Sequence, residues 1–393
     1  MTHLNRRHIL LGAAALSSPL SWAIAAAPSN ARPDDARFVF VLLRGGMDGL
    51  GAVPAIGDPD FASARGPLAN FGAPALALEG TPFALNPNLT ALHGLYRSGE
   101  LAVVHATGLA YRERSHFDAQ QVLESGGNKP YELSTGWLGR ALAAGGNRSG
   151  LALTTAVPLV LRGSERIDTW APSALPDPSP DLLARLESLY ADDAALAHAL
   201  ARAKALREQP AMAANTSPEA GRAAAITVAR KAGEMIAAPA GPRVAVLEMT
   251  GWDTHANQAA PAGALANSLR TLDASLAALR EALAGTAWSR TVVVVATEFG
   301  REVAVNGTQG TDHGTGGAAF VLGGAVLGAR VITDWPGLAR AQRFEARDLR
   351  VTTDLRSILK GVLGDHLRLP GSVIEQTVFP GSDSVRATSL LRA

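Results

Sequence analysis

Short, almost uninterrupted apolar runs recur along this chain, and polar residues gather directly behind them. The runs FVFVLL (38–43), LAVVHA (101–106), LALTTAVPLVL (151–161), VAVLEM (244–249), TVVVVA (291–296) and AAFVLG (318–323) show no polar alternation. A strand that is apolar on both faces belongs in a sheet covered on both sides, so each run predicts a buried strand. Between the runs lie stretches with helical spacing. The clearest covers 263–284, where Leu265, Leu269, Leu272, Leu276, Leu279 and Leu283 recur every three or four residues. That interval stacks the leucines in one stripe and leaves Arg270, Asp273 and Arg280 off it. Strand and helix alternate, which predicts an α/β fold: a doubly wound, mainly parallel sheet. In such sheets ligands bind beyond the carboxyl ends of the strands.

The pattern changes between about Gly163 and Ile236. A long Ala/Leu-rich helix is expected over roughly 180–208, followed by QPAMAANTSPEAG and a further helical stretch. This reads as a helical insertion in a single α/β domain that covers 26–393. The first 25 residues read differently. Arg6-Arg7 precedes an apolar run from Ile9 to Leu16, then small residues with Ala23-Ile24-Ala25 as a cleavage site. That is the layout of an export signal, and the arginine pair points to the twin-arginine route. Ser17, Ser18 and Pro19 break the run before it is long enough to span a bilayer. A periplasmic or secreted protein without a permanent membrane span is expected, with the twin-arginine machinery as its first partner.

Composition narrows the chemistry. Hydrophobic residues make up 47% and charged ones 18%, enough apolar material for a large core and too much for a disordered chain. The net charge is +1, with no basic block, so nucleic acid is not an expected partner. Cysteine is absent, which excludes disulfides, thiolate ligands and a cysteine nucleophile.

The polar residues behind the strands carry the candidate site. Run 38–43 enters Arg44-Gly45-Gly46-Met47-Asp48, where glycines permit a tight turn and place Asp48 at the sheet edge. Run 244–249 leads to Asp253-Thr254-His255, a carboxylate and an imidazole that can turn toward one metal. Run 291–296 delivers Glu298 and Arg301, and a Gly-rich loop then supplies Asp312 and His313. The segment YRERSHFDAQ places Arg112, Arg114, Ser115, His116 and Asp118 at a helix start. Ser115 there is either an N-cap or, beside a divalent cation, a nucleophile. The flanking arginines suit a phosphate or sulfate.

Taken together, LLRGGMDGL, RSHFDAQ, GWDTH, TEFGR and GTDHG, in that order, resemble a family of twin-arginine-exported bacterial proteins. That family is placed within the alkaline phosphatase and sulfatase superfamily. The resemblance implies a metal-dependent hydrolase of small-molecule or polymer-borne phosphate (or related oxyanion) esters. Its metal carboxylate matches Asp48, its hydroxyl nucleophile Ser115, and its later ligands Asp253, His255 and His313. Thr297-Glu298-Phe299-Gly300 echoes a Thr/Ser-Asp-His-Gly run, with Phe299 where phosphatases carry a histidine, and Asp312 is a candidate replacement ligand. The sulfatase Cys/Ser-x-Pro-x-Arg signature is absent.

The expectation is therefore one or two divalent ions (zinc, manganese, magnesium or calcium) on Asp48, Asp253, His255, Glu298, Asp312 and His313 in some combination. Ser115 would attack, and Arg112, Arg114 or Arg301 would hold the transferred group. The alternative is a non-catalytic exported binding or assembly protein on the same fold, kept open by Phe299.

Overall fold

The computed structural model describes residues 36–146, 149–164, 167–172, 179–207, 218–258 and 262–392. The segment 1–25 expected to be an export signal, with Arg6 and Arg7, lies outside them. Among the described residues eleven strands occur in chain order: β1 (Arg37–Leu43), β2 (Leu76–Ala77), β3 (Ala84–Leu85), β4 (Leu101–Gly108), β5 (Gly150–Ala152), β6 (Ile167–Thr169), β7 (Val244–Met249), β8 (Thr291–Thr297), β9 (Gly317–Leu322), β10 (Arg330–Ile332) and β11 (Thr353–Asp354). β2 and β3 form a small antiparallel ribbon. The others build one sheet in the order β10-β4-β9-β8-β1-β7-β5-β6, with β11 also on β4. All neighbours run parallel except β9, which is antiparallel to both β4 and β8. The fold is thus a mixed, mainly parallel sheet with helices on both faces.

The uninterrupted apolar runs are explained by this layering. Successive side chains of a strand point to opposite faces. In β1, Val39, Val41 and Leu43 enter one core, and Phe38, Phe40 and Leu42 enter the other. β8 divides the same way, with Val293 and Val295 opposite Val292 and Val294. The leucine stripe forms the helix Ala264–Ala282, whose Leu265, Leu269, Leu272, Leu276 and Leu279 are buried in the first core. Asp273, off the stripe, accepts hydrogen bonds from the backbone of Ala91 and Leu92 and so caps the neighbouring helix Thr90–Arg97.

Two expected elements come out shorter. The run 151–161 is a strand only at its start, in β5, and ends in a 3-10 turn over Leu159–Leu161, because Thr154 closes a turn through its hydroxyl and Pro158 offers no N–H to a ladder. The helix expected over 180–208 divides into Pro180–Tyr190 and Ala194–Arg207, since Asp193 caps the second piece through the Leu196 N–H. Pro180–Tyr190 buries none of its residues. The later helix Pro218–Ala237 instead packs on Ala264–Ala282, where Gly233 allows close approach to Ala282. Pro33–Ala393 forms one compact unit. No described helix is long and apolar enough to cross a membrane.

Candidate metal centre

β8, β1 and β7 lie side by side and parallel, with Leu43 in register with both Thr297 and Met249. The segments behind them therefore emerge at one edge of the sheet. After β1, Gly45 adopts φ +124°, and a Cβ there would meet the Asp253 backbone nitrogen at 2.5 Å. After β8 the chain doubles back to enter β9, and a backbone bridge joins Arg301 to His313. That close return needs Gly300, where a Cβ would stand 1.8 Å from the Gly316 carbonyl. The fourth contributor is the helix His116–Ser125, which begins after β4.

These elements bring together four side chains whose donor atoms are of metal-ligating type, His116, Asp253, His255 and His313. Asp253 Oδ1 lies 3.0 Å from His255 Nε2 and 3.3 Å from His313 Nε2. The two Nε2 atoms are themselves 2.9 Å apart. His116 Nε2 faces Asp253 Oδ2 at 3.5 Å, and one donor atom each from His116, Asp253 and His313 fits within 4.8 Å. On a zinc ion with bonds of about 2.0–2.1 Å, tetrahedral ligand atoms sit roughly 3.3 Å apart. The contacts of the three imidazoles with the Asp253 carboxylate, 3.0–3.5 Å, are of that size, and His116, Asp253 and His313 form the candidate ligand group, with His255 beside it.

The second nitrogen of each ring decides what the first can do. His116 Nδ1 is 2.8 Å from Glu298 Oε1, His313 Nδ1 is 2.9 Å from the Arg114 carbonyl, and His255 Nδ1 is 3.1 Å from Asp312 Oδ1. Each Nδ1 faces an acceptor and so carries the proton in the neutral ring, which turns an Nε2 lone pair toward Asp253. Backing an imidazole with a carboxylate or carbonyl is the arrangement found behind metal-bound histidines. His116 Nε2 is buried and has no hydrogen-bond partner, since its 3.5 Å contact with Asp253 lacks hydrogen-bond geometry. A cation would satisfy that orphaned lone pair, so the donor set fits a metal ion.

Electrostatics follow the same lines. Burial alone would push the Glu298 carboxyl up, but hydrogen bonds from His116, Gln120 and Thr297 outweigh it and hold it below the ordinary carboxylate range. The Glu298 hydrogen bond in turn raises His116. Asp253 is lowered: partial burial opposes ionisation, and the Arg301 guanidinium overcomes it. Asp312 is lowered by its Asn306 hydrogen bond. His313 is lowered by burial, with His116 and Arg301 adding unfavourable positive charge.

Of the residues singled out from sequence, Asp253, His255 and His313 meet at this point. Glu298 and Asp312 stand behind imidazoles. Asp48 is buried elsewhere on the rim, where it binds Arg65 and the amide of Gln258 and accepts from Gly51 N at 3.0 Å. Arg301 is buried and holds Asp253 Oδ1 at 2.7 Å. Arg114 pairs with Asp348 and Glu345. Arg112 is half-buried close to Asp354 and Arg356. Ser115 is the N-cap residue of His116–Ser125, yet its side chain makes no capping bond and instead lies near the Tyr111 phenol. His116 itself was not among the expected ligands. Its place directly after Ser115, at a helix start, is its only signal in the sequence. Phe299, only 5% exposed, packs its ring against His116 and His313 at 4.7 and 5.0 Å, walling the centre on one side.

Similarity to known proteins is confined to the fold and family. No curated protein matches the sequence. Among solved structures, Ps i-CgsB in complex with k-i-k-neocarrahexaose shares 10% identity, with 90% of this chain and 74% of that one covered, at a TM-score of 0.43. The phosphonate monoester hydrolase of Agrobacterium radiobacter shares 12% over 85% and 74%, at 0.40. A protein in the alkaline phosphatase superfamily from Vibrio parahaemolyticus shares 12% over 73% and 60%, at 0.36. Likeness at this level is silent on activity. Residues 103–378, more than half of the sequence, match the family described as "Protein of unknown function (DUF1501)", and the chain belongs to that family.

Proposed function

We propose that the protein is an exported, metal-dependent hydrolase of phosphate or related oxyanion esters. The observation that carries this reading is the convergence of His116, His255 and His313 Nε2 on Asp253, with each Nδ1 already committed to an acceptor. These four residues would hold one divalent ion. An imidazole-rich donor set favours zinc over magnesium, calcium or manganese. Bound there, the ion supplies Lewis acidity toward an ester oxygen.

The chain's own residues supply the remainder. Ser115 precedes His116 directly, and its hydroxyl, free of a capping role, is the candidate nucleophile. The N–H groups in the first turn of His116–Ser125 have no intrahelical acceptor and suit an anionic oxygen. Arg114 and Arg301 commit their guanidinium groups to carboxylates, which leaves Arg112 to hold the transferred group. Phe299 excludes water from the side of the cluster where it packs and offers no ligand to a second ion.

The same apolar wall is what favours the second reading, a binding or assembly protein whose metal site is vestigial or structural. The two part on one experiment. Metal content of the purified chain and of Asp253→Ala is measured alongside turnover of activated phosphate mono- and diesters. Bound metal with turnover, both lost in the variant, supports the hydrolase. Metal without turnover on either ester class selects the binding protein, and a metal-free wild type removes the hydrolase.

A further inference from the structure

We infer that Asp48 is a positioning residue for the metal-binding carboxylate of Asp253, acting through Gln258, Thr311 and Arg301. The inference rests on the metal reading above and assigns a role to Asp48, an expected ligand that the centre leaves unused.

Asp253 has a difficulty built into its location. Its side chain is 46% exposed, at a strand end, where a carboxylate has free rotamers. One buried group restrains it: Arg301, whose Nη1 donates to Asp253 Oδ1 at 2.7 Å from a side chain with no exposure. The orientation of Asp253 therefore depends on what fixes the Arg301 guanidinium.

That guanidinium is held by Thr311. Arg301 Nε donates to Thr311 Oγ1 at 3.1 Å, and Nη2 donates to the Thr311 carbonyl. Thr311 Oγ1 can accept from Nε only while its own proton points elsewhere, and that proton goes to Gln258 Oε1 at 2.6 Å. The Thr254 hydroxyl donates to the same oxygen at 2.7 Å. Gln258 must then present its amide nitrogen on the other side, where it donates to Asp48 Oδ2. Asp48 is acceptor-only when ionised, so it admits just one orientation of the Gln258 amide. Each bond in the chain fixes the polarity of the next.

The network is sealed. Asp48, Gln258, Thr311 and Arg301 are each at most 3% exposed, so water cannot substitute for a lost partner. Arg65 neutralises Asp48 within this interior and also donates to the Val303 carbonyl at 2.9 Å, which ties the network to the strand end that carries Arg301.

The test is zinc affinity of the full chain, measured by chelator competition, with thermal stability recorded for each variant. Thr311→Val keeps the shape and removes the hydroxyl, and is expected to weaken zinc binding by about 10–100-fold, as loss of an outer partner does. Thr311→Ser restores the hydroxyl and is expected to restore affinity. Asp48→Asn, which can donate to Gln258 where Asp48 only accepts, should resemble Thr311→Val. Asp273→Asn, at a buried helix cap outside the network, should lower stability and leave affinity unchanged. Wild-type zinc binding with Thr311→Val within twofold of it would overturn the inference and leave the metal centre standing. Equal losses in Thr311→Val and Thr311→Ser would also overturn it. A wild type that binds no zinc would sink both readings. If Asp48→Asn fails to fold, the valine and serine pair decides.

Discussion

His116 Nδ1 stands 2.8 Å from Glu298 Oε1, and the same oxygen accepts from the Gly45 N–H and from Gln120. A single buried carboxylate thereby sets the imidazole of one ligand and the turn behind β1 together. Glu298→Gln keeps the volume but replaces one acceptor oxygen by a donor. It is expected to weaken zinc binding by about 10–100-fold while the chain still folds. Competition against a chelator, with circular dichroism as the folding control, checks this.

Ser115→Ala separates nucleophile from cap with little ambiguity, because the Ser115 side chain makes no capping bond. The stability loss should fall below the ~1 kcal/mol typical of a working N-cap. Turnover of an activated phosphate ester should fall by several powers of ten with metal content unchanged. Retained turnover would remove Ser115 from the mechanism.

Where sequence reading succeeded and failed has a physical pattern. β1 and β8 were legible because burial on two faces leaves no room for polar alternation. The helix Ala264–Ala282 was legible because its leucines share one stripe. Asp253, His255 and His313 follow buried strands in the sequence, and the fold places them side by side. What failed was direction. Glu298 and Asp48 sit behind adjacent parallel strands, yet one backs an imidazole and the other binds Arg65, and nothing along the chain distinguishes those rotamers. Gln258 and Thr311 carried no signal at all, since their roles exist only through contacts between distant segments.

Acid should destabilise the fold through His105. Burial lowers its pKa from 6.5 to about 4. Its Nε2 lies 2.8 Å from the Val53 carbonyl, and its Nδ1 accepts from the Ala106 N–H at 2.8 Å. Protonation must therefore occur on a nitrogen already occupied as an acceptor. A depressed folded pKa contributes stability above the unfolded value that is lost as pH falls toward the folded one. The window is thus pH 6.5 down to about 4, with a loss on the order of 3 kcal/mol. Urea midpoints across that range should fall in the wild type. They should fall less steeply in His105→Gln, which starts from lower stability at pH 7.

Export should depend on the arginine pair. With Arg6 and Arg7 both replaced by lysine, the precursor is expected to remain in the cytoplasm. Cell fractionation reads the outcome, and undiminished periplasmic accumulation would reject the twin-arginine assignment.

The four residues at the candidate metal centre come from three segments, around 116, 253–255 and 313, that meet once β4, β9, β8, β1 and β7 lie side by side. Until those five strands are paired the segments stay apart, so a metal ion would have no tight site on a chain without its central sheet. Metal occupancy would then record completion of the central strands. A cobalt-loaded sample would report, by the colour of the ion, the fraction of molecules whose three segments have reached their places, and could time the last step of assembly in a refolding experiment.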